Sequence, residues 1–309
     1  MIRASSPPAL EFHRREPVRH GLRRLGGLLA TAARAEAARP PAEQASAVHE
    51  MRRLLKRLRA LVRLLRPTLG DATARRHNRR LRLAARRLAG ARDATVGLLT
   101  LDRLGQDASR EDTAALAEVR AGFTRAVHDR HVREAVVARH LNAAAKALAT
   151  SVHALDRLPW KRSGWATLEA GLRAGYRRAR RRAKAARPTR EESGFHAWRT
   201  ATKSLLYQIA LVRPAQPTRI RPVLDALDAL QENLGQEHDL EVLRARLAQR
   251  PRAFGSPAAV QRTLELIASR QQALRKDCLR RGRKLFAQPP ATFIARYRSD
   301  WKKWRARSK

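Results

Sequence analysis

Acid is what this chain most lacks: 27 aspartates and glutamates stand against 67 lysines and arginines, for a formal charge of +40 and a pI near 11.9. A single cysteine, Cys278, excludes an intrachain disulfide and suits a reducing intracellular setting. Phe, Trp and Tyr together make 5% of residues, which leaves few platforms for stacking nucleobases. Runs alternating β-branched with polar residues are missing, so nothing argues for a sheet. Long apolar runs are missing as well. The stretch LGGLLATAA is too short to span a bilayer and leads into Arg34, and no apolar segment follows the charges of MIRASSPPALEFHRREPVRH. Neither a signal peptide nor a transmembrane helix is expected.

The parts of familiar enzymes are also absent. HEMRR at His49 opens like a zinc-protease motif but has Arg53 where the second histidine must stand. His128 and His131 flank Asp129 at a spacing open to metal, yet no carboxylate cluster joins them, and a solvated helix face is the expectation. There is no glycine-rich phosphate loop, no Ser/His/Asp arrangement and no acidic dyad for Mg²⁺, so phosphoryl transfer lacks its machinery. Cys278, in RKDCLRRG, is expected as a small core residue. No cofactor, no resident metal and no catalysis follow.

What is present is cation and helix. An excess so large must be met by polyanions, whose association it accelerates. Only ten of the 67 basic residues are lysine; a coding bias toward Arg and Ala contributes, but arginine is also the residue whose planar fork grips phosphate oxygens in pairs. Apolar residues make 43% of the chain and recur with helical period, so the charge sits on a folded, all-α protein. Helices are expected at about 17–38, 44–66, 71–89, 91–105, 112–157 (broken once), 164–187, 190–213, 218–234, 236–250, 257–287 and 290–306, with prolines and glycines between them.

One helical unit occurs twice. VHEMRRLLKRLRALVRLLRP places His49, Arg52, Lys56, Arg66 and Pro67 at the same offsets as His196, Arg199, Lys203, Arg213 and Pro214 in FHAWRTATKSLLYQIALVRP. Each copy is followed by an apolar helix, a turn and an aspartate: Asp93, 44 residues after His49, and Asp239, 43 after His196. Each aspartate is expected to cap the next helix or pair with an arginine. The chain then divides into a flexible segment 1–16 and two antiparallel bundles of about four helices, 17–158 and 159–306, joined near Leu158, Pro159 and Trp160.

On a helical wheel, Met51, Leu54, Leu55, Leu58, Leu61, Val62 and Leu65 fall within an arc of about 120° facing the core. The opposite face carries His49, Arg52, Arg53, Lys56, Arg57, Arg59 and Arg63, interrupted by Ala60 and Leu64, with only Glu50 at its margin. A solvated helix ordinarily mixes signs to gain i,i+4 pairs, so an unrelieved stripe is a surface awaiting an anion. The second copy repeats the face with His196, Arg199, Lys203 and Tyr207.

These patterns resemble the CHAD family, the conserved histidine α-helical domain. The resemblance rests on His-x-x-Arg with basic residues at +7, +8 and +10, and on His196, Trp198, Arg199, Lys203 and Tyr207. Leu234, Gly235 and Asp239, then Arg92 and Asp93, GLRAGYRRARR around Tyr176, and GRKLFAQPPATF extend it over about residues 17–306. It implies two pseudo-symmetric helical bundles whose histidine-bearing helices line a shared basic groove or pore. It further implies non-catalytic binding of inorganic polyphosphate in the cytoplasm, at polyphosphate granules. The contacts carried over are His49, Arg52, Lys56, Arg57 and Arg59 with His196, Arg199, Lys203 and Tyr207. Arg79, Arg82 and Arg86, on one helix face, and Tyr176, Arg177 and Arg180 would extend the surface. Thr200, Ser204 and Leu206 stand where the family commonly has basic residues, so the second half should grip fewer phosphates. The rival reading is a nonspecific nucleic-acid binder, against which stand the scarce aromatics and the lack of a helix-turn-helix or zinc-finger signature. A membrane-surface helix is disfavoured because the apolar face is needed by the bundle.

Overall fold

A computed structural model describes residues 10–88, 93–128, 134–157, 164–189 and 192–307; within these, 93–95, 107, 126–128, 134, 187–189 and 192–193 are described by backbone alone. The described residues form twelve α-helices and no strand. They are α1 (Val18–Ala37), α2 (Gln44–Leu64), the short α3 (Arg66–Leu69), α4 (Asp71–Arg87), α5 (Asp93–Leu104) and α6 (Arg110–His128). Then follow α7 (Glu134–Asp156), α8 (Trp165–Thr189), α9 (Glu192–Ala210), α10 (Pro217–Gln249), α11 (Pro257–Leu285) and α12 (Pro290–Ala306). Proline supplies the first residue of α10, α11 and α12, where its missing N–H has no partner to lose. Ser256 caps α11 by accepting from the Ala259 amide at 3.2 Å.

One element departs from expectation. The two helices expected at 218–234 and 236–250 are a single 33-residue helix, α10, which passes through Gly235 without a turn. Positive φ occurs at Gly70 and Gly164, not at Gly235. Asp239 therefore lies mid-helix rather than at a helix start, where it would cap. Arg92 and the side chain of Asp93 lie outside the described residues, as do His131, the side chain of His128, and the join at Leu158, Pro159 and Trp160.

α2 is the central helix, packed against α1, α4, α7, α8 and α9. The seven apolar residues expected to face the core are all at most 4% exposed. Ala60 and Leu64, which interrupt the cationic face, are equally buried, because there the second half of the chain presses in. The Gln208 side-chain amide donates to the Ala60 carbonyl at 3.0 Å. Gly171 of α8 approaches so closely that a Cβ would stand 1.9 Å from the Leu64 carbonyl oxygen.

The two halves do not each enclose a private core. One continuous core joins α1, α2, α4 and α7 to α8, α9, α12 and the start of α10. A second core is built from Leu101 and Phe123 on α5 and α6 together with Leu240, Leu247 and Ile267 on α10 and α11. There Phe123 stacks on Phe254 with centroids 5.2 Å apart. The α5–α6 hairpin thus crosses over and packs on the distal half of α10, which gives the helix beyond Gly235 a core to cover.

Candidate anion-binding cleft

Side-by-side packing of α2 and α9 brings the two basic faces together, and α10 closes the third side. The enclosed cleft has a volume of about 400 Å³. α2 contributes His49, Arg53, Lys56, Arg59 and Arg63; α9 contributes Arg199, Lys203 and Tyr207, with Thr200 and Ser204. Arg103 enters from α5. The α10 wall is of different character, presenting Asp228, Gln231, Glu232, Gln236 and Asp239. Seven arginines and lysines face three carboxylates, so the cleft remains strongly positive.

Two further clefts adjoin the first. One, of about 930 Å³, runs along α4 and α7 and is lined by Arg75, Arg76, Arg79, Arg80, Arg82, Arg87 and His140. The other, of about 270 Å³, lies against α8 beside Arg66, Arg177, Arg178 and Arg181. Arg63 lines all three, Arg59 the first two, and Ser204 the first and last. The clefts are therefore a main cleft and two neighbouring arginine-lined arms, with Arg63 common to the walls of all three.

Electrostatics around Arg63 are adverse to the protein on its own. Burial, together with Arg178 and Arg59, pushes the Arg63 guanidinium down to about 9. Burial lowers Arg59, with Arg82 and Arg178 adding to the effect, and its buried Nε has no hydrogen-bond partner among the described residues. Burial lowers Lys203 also, against the pull of Asp228. These groups would each regain favourable interaction from an anion placed among them. Tyr207 sits between the Arg57 guanidinium, 5.8 Å from its ring centroid, and the Lys203 ammonium at 5.4 Å. Burial raises the Tyr207 hydroxyl despite Arg57, so it stays a donor at neutral pH.

Eight of the expected contacts line the main cleft: His49, Arg53, Lys56, Arg59, Arg63, Arg199, Lys203 and Tyr207. Arg79 and Arg82 line the α4 arm, and Arg177 the α8 arm. Arg86 is exposed on α4 outside these linings. Arg53 also pairs with Glu50 at 2.7 Å. Arg52 is turned away, donating to the Ala85 carbonyl at 3.1 Å and so holding α4 to α2. His196 lies at the rim, its Nδ1 3.4 Å from Nδ1 of His238.

Tyr176 and Arg180 belong to a different place. Tyr176 is fully buried and stacked on Phe293 at 4.0 Å, and its hydroxyl donates to the Leu285 and Gln288 carbonyls. Arg180 Nε donates to the Phe286 carbonyl at 2.9 Å. Both fasten the link between α11 and α12. Leu206 points into the core, whereas Thr200 and Ser204 line the cleft where cations were lacking. Sequence reasoning missed Arg103, Arg178 and His238. Arg178 adjoins the expected Arg177 but lies on a different face of α8, and only three-dimensional packing singles it out. Cys278 is buried, with its thiol pushed up to about 12, consistent with packing rather than reactivity.

The family model described as the CHAD domain matches residues 23–248. The chain belongs to the CHAD family. The crystal structure of the CHAD domain from the plant Ricinus communis superposes with a TM-score of 0.67, covering 91% of this chain and 95% of that one at 21% identity. At that identity the likeness concerns the fold, and it confirms an all-α CHAD architecture. No curated protein matches this chain. CHAD domains are in general a non-enzymatic family, often linked to polyphosphate. No helix among the described residues of this CHAD domain is long and apolar enough to cross a membrane, and none of its described histidines, cysteines and acids gather in threes around a metal position.

Proposed function

We propose that this protein binds inorganic polyphosphate without transforming it, in the cleft between α2, α9 and α10 and along its neighbouring arms. The observation that carries this reading is that three arginine-lined clefts share the desolvated Arg63 in their walls. A linear polyanion passing Arg63 would relieve the mutual repulsion of many cations at once, while a single small anion would relieve few. His49, Arg53, Lys56, Arg59, Arg63, Arg199, Lys203 and Tyr207 form the central contacts; Arg79, Arg82 and Arg177 extend them along the arms. Arg57 and His196 act at the margins, and Arg52 supports the cleft by holding α4 to α2. Affinity comes from many phosphate contacts with counterion release, so it falls steeply with salt, by analogy with DNA. A thin unbranched chain enters such a cleft and a duplex does not. Tyr207 is the one Phe, Tyr or Trp in the main lining, which gives single-stranded bases little to stack on. The cellular setting is the cytoplasm, at polyphosphate granules.

The test is a competition titration at physiological salt with long-chain polyphosphate, duplex DNA and tRNA matched by phosphate concentration. Polyphosphate should win by about tenfold or more, equivalent to about 1.4 kcal/mol. A variant combining His49→Ala, Lys56→Ala and Arg59→Ala should lose that preference. Equal competition that the variant leaves unchanged would mean a diffuse basic surface and favour nonspecific nucleic-acid binding.

A further inference from the structure

The acidic wall of an otherwise cationic cleft calls for a physical reason. Asp228, Gln231 and Glu232 lie at i, i+3 and i+4 on α10 and therefore share one face, which lines the cleft opposite Lys203 and Tyr207. Carboxylates there repel any phosphate chain that the opposite walls attract. Gln231 is 6% exposed, and its buried Oε1 accepts no hydrogen bond from any described residue. A buried amide oxygen left unpaired costs about 1–3 kcal/mol. Two carboxylates and an orphaned amide oxygen thus stand on one helix face in the wall of one cleft, three hard oxygen donors within a single turn.

We propose that these three side chains form a divalent-cation subsite that is completed only by the bound polyanion, so that the protein recognises polyphosphate carrying Mg²⁺ rather than the bare chain. This rests on the polyphosphate reading above. Mg²⁺ keeps much of its water and is held through one or two carboxylates plus ligand phosphates, which matches the few donors α10 offers. The cation is cargo of the ligand and not a resident of the protein. Alone, it meets Arg53, Arg199 and Lys203 around the cleft and is repelled. With phosphate oxygens present, it bridges them to Asp228 and Glu232 and turns repulsion on that wall into attraction. Burial raises the Asp228 carboxyl, the direction expected of an acid that lacks sufficient positive charge nearby.

The test measures binding of end-labelled polyphosphate by fluorescence anisotropy, with Mg²⁺ or with K⁺ at equal ionic strength, on the wild type and on a D228N/E232Q variant. Coupling between two ligands is reciprocal and commonly about fivefold or more. Mg²⁺ should therefore tighten wild-type binding by about fivefold or more. It should weaken binding to the variant, as ordinary counterion competition does. Without Mg²⁺ the variant should bind more tightly than the wild type, because two repelling charges are gone. Gln231→Leu should lose part of the Mg²⁺ gain, and circular dichroism checks that both variants fold. Mn²⁺, followed by electron paramagnetic resonance, should bind the protein only when polyphosphate is present. Mg²⁺ weakening both proteins alike overturns the cation subsite and leaves polyphosphate binding intact. Polyphosphate failing to bind the wild type in either buffer removes the parent reading and this one with it.

Discussion

Nδ1 of His196, on α9, lies 3.4 Å from Nδ1 of His238, on α10, with ring centroids 4.7 Å apart. One proton can be shared at that distance; two cannot. Burial pushes His238 down to about 4, with Arg199, His196 and Lys56 adding to the effect, and burial with Arg199 lowers His196. The unfolded chain therefore binds more protons than the folded one below about pH 6.5, and stability is lost as pH falls from there through about 4. His238→Gln should flatten the acid limb of a pH series of urea midpoints relative to the wild type. A phosphate chain near the pair favours the charged form, so its binding should take up protons between pH 7 and 5. Calorimetry in two buffers of different ionisation enthalpy reads that uptake, and zero uptake would detach the pair from the ligand.

Arg63 is held charged where, among the described residues, no acid pairs with it and the Ser204 hydroxyl lies at 3.3 Å. Folding must carry that cost for the sake of what binds. Arg63→Met, which keeps the unbranched stem and removes the guanidinium, should therefore raise the unfolding free energy by about 1 kcal/mol or more. It should also weaken polyphosphate binding by about tenfold, or about 1.4 kcal/mol. Chemical denaturation and the anisotropy titration measure the two effects, and a variant both less stable and equally tight in binding contradicts this account.

Gly235 separates a turn from a continuous helix. A glycine needed for a left-handed turn cannot be replaced cheaply, but in α10 it is helical, and a Cβ there would find nothing nearer than Arg199 Nε at 4.0 Å. Gly235→Ala should then stabilise the protein by about 0.5–1 kcal/mol. Gly171→Ala, whose Cβ would meet the Leu64 carbonyl at 1.9 Å, should cost about 2 kcal/mol or more by forcing α8 from α2. Thermal melts of the two variants should shift in opposite directions.

Much of this was readable in the chain, and the failures share a cause. The apolar arc of α2 and its cationic face follow from a 100° rotation per residue, and the structure buries the first and lines the cleft with most of the second. The repeated landmarks placed His49 and His196 on paired helices. The turn at Gly235 misled because glycine and a polar GQEH stretch look like an ending. The contrary signal lay in period: Asp228, Gln231, Glu232, Gly235, Gln236 and Asp239 form one helical stripe straight across the supposed break. Breaking the helix hid that stripe, and with it both the acidic wall and His238. The crossover of α5 and α6 onto α10 and α11 depends on long-range packing that no local pattern encodes.

Tyr176 separates cleft residues from those that merely look basic and aromatic in sequence. GLRAGYRRARR reads as an aromatic within a cationic patch, yet α8 turns Tyr176 inward, between Phe286 and Phe293, and leaves Arg177 on the surface. Its hydroxyl donates to the Leu285 carbonyl, which the end of α11 leaves without an intrahelical donor, and to the Gln288 carbonyl in the link to α12. Tyr176→Phe keeps the ring stacking and removes only that donor. Stability should fall by about 1 kcal/mol. Polyphosphate affinity should remain within about twofold of wild type, since 1.4 kcal/mol would be needed for a tenfold change and no cleft contact is lost. Denaturation and binding measured on the same sample decide the matter: a large loss of affinity at unchanged stability would return Tyr176 to the binding surface and require α8 to rotate by about a quarter turn.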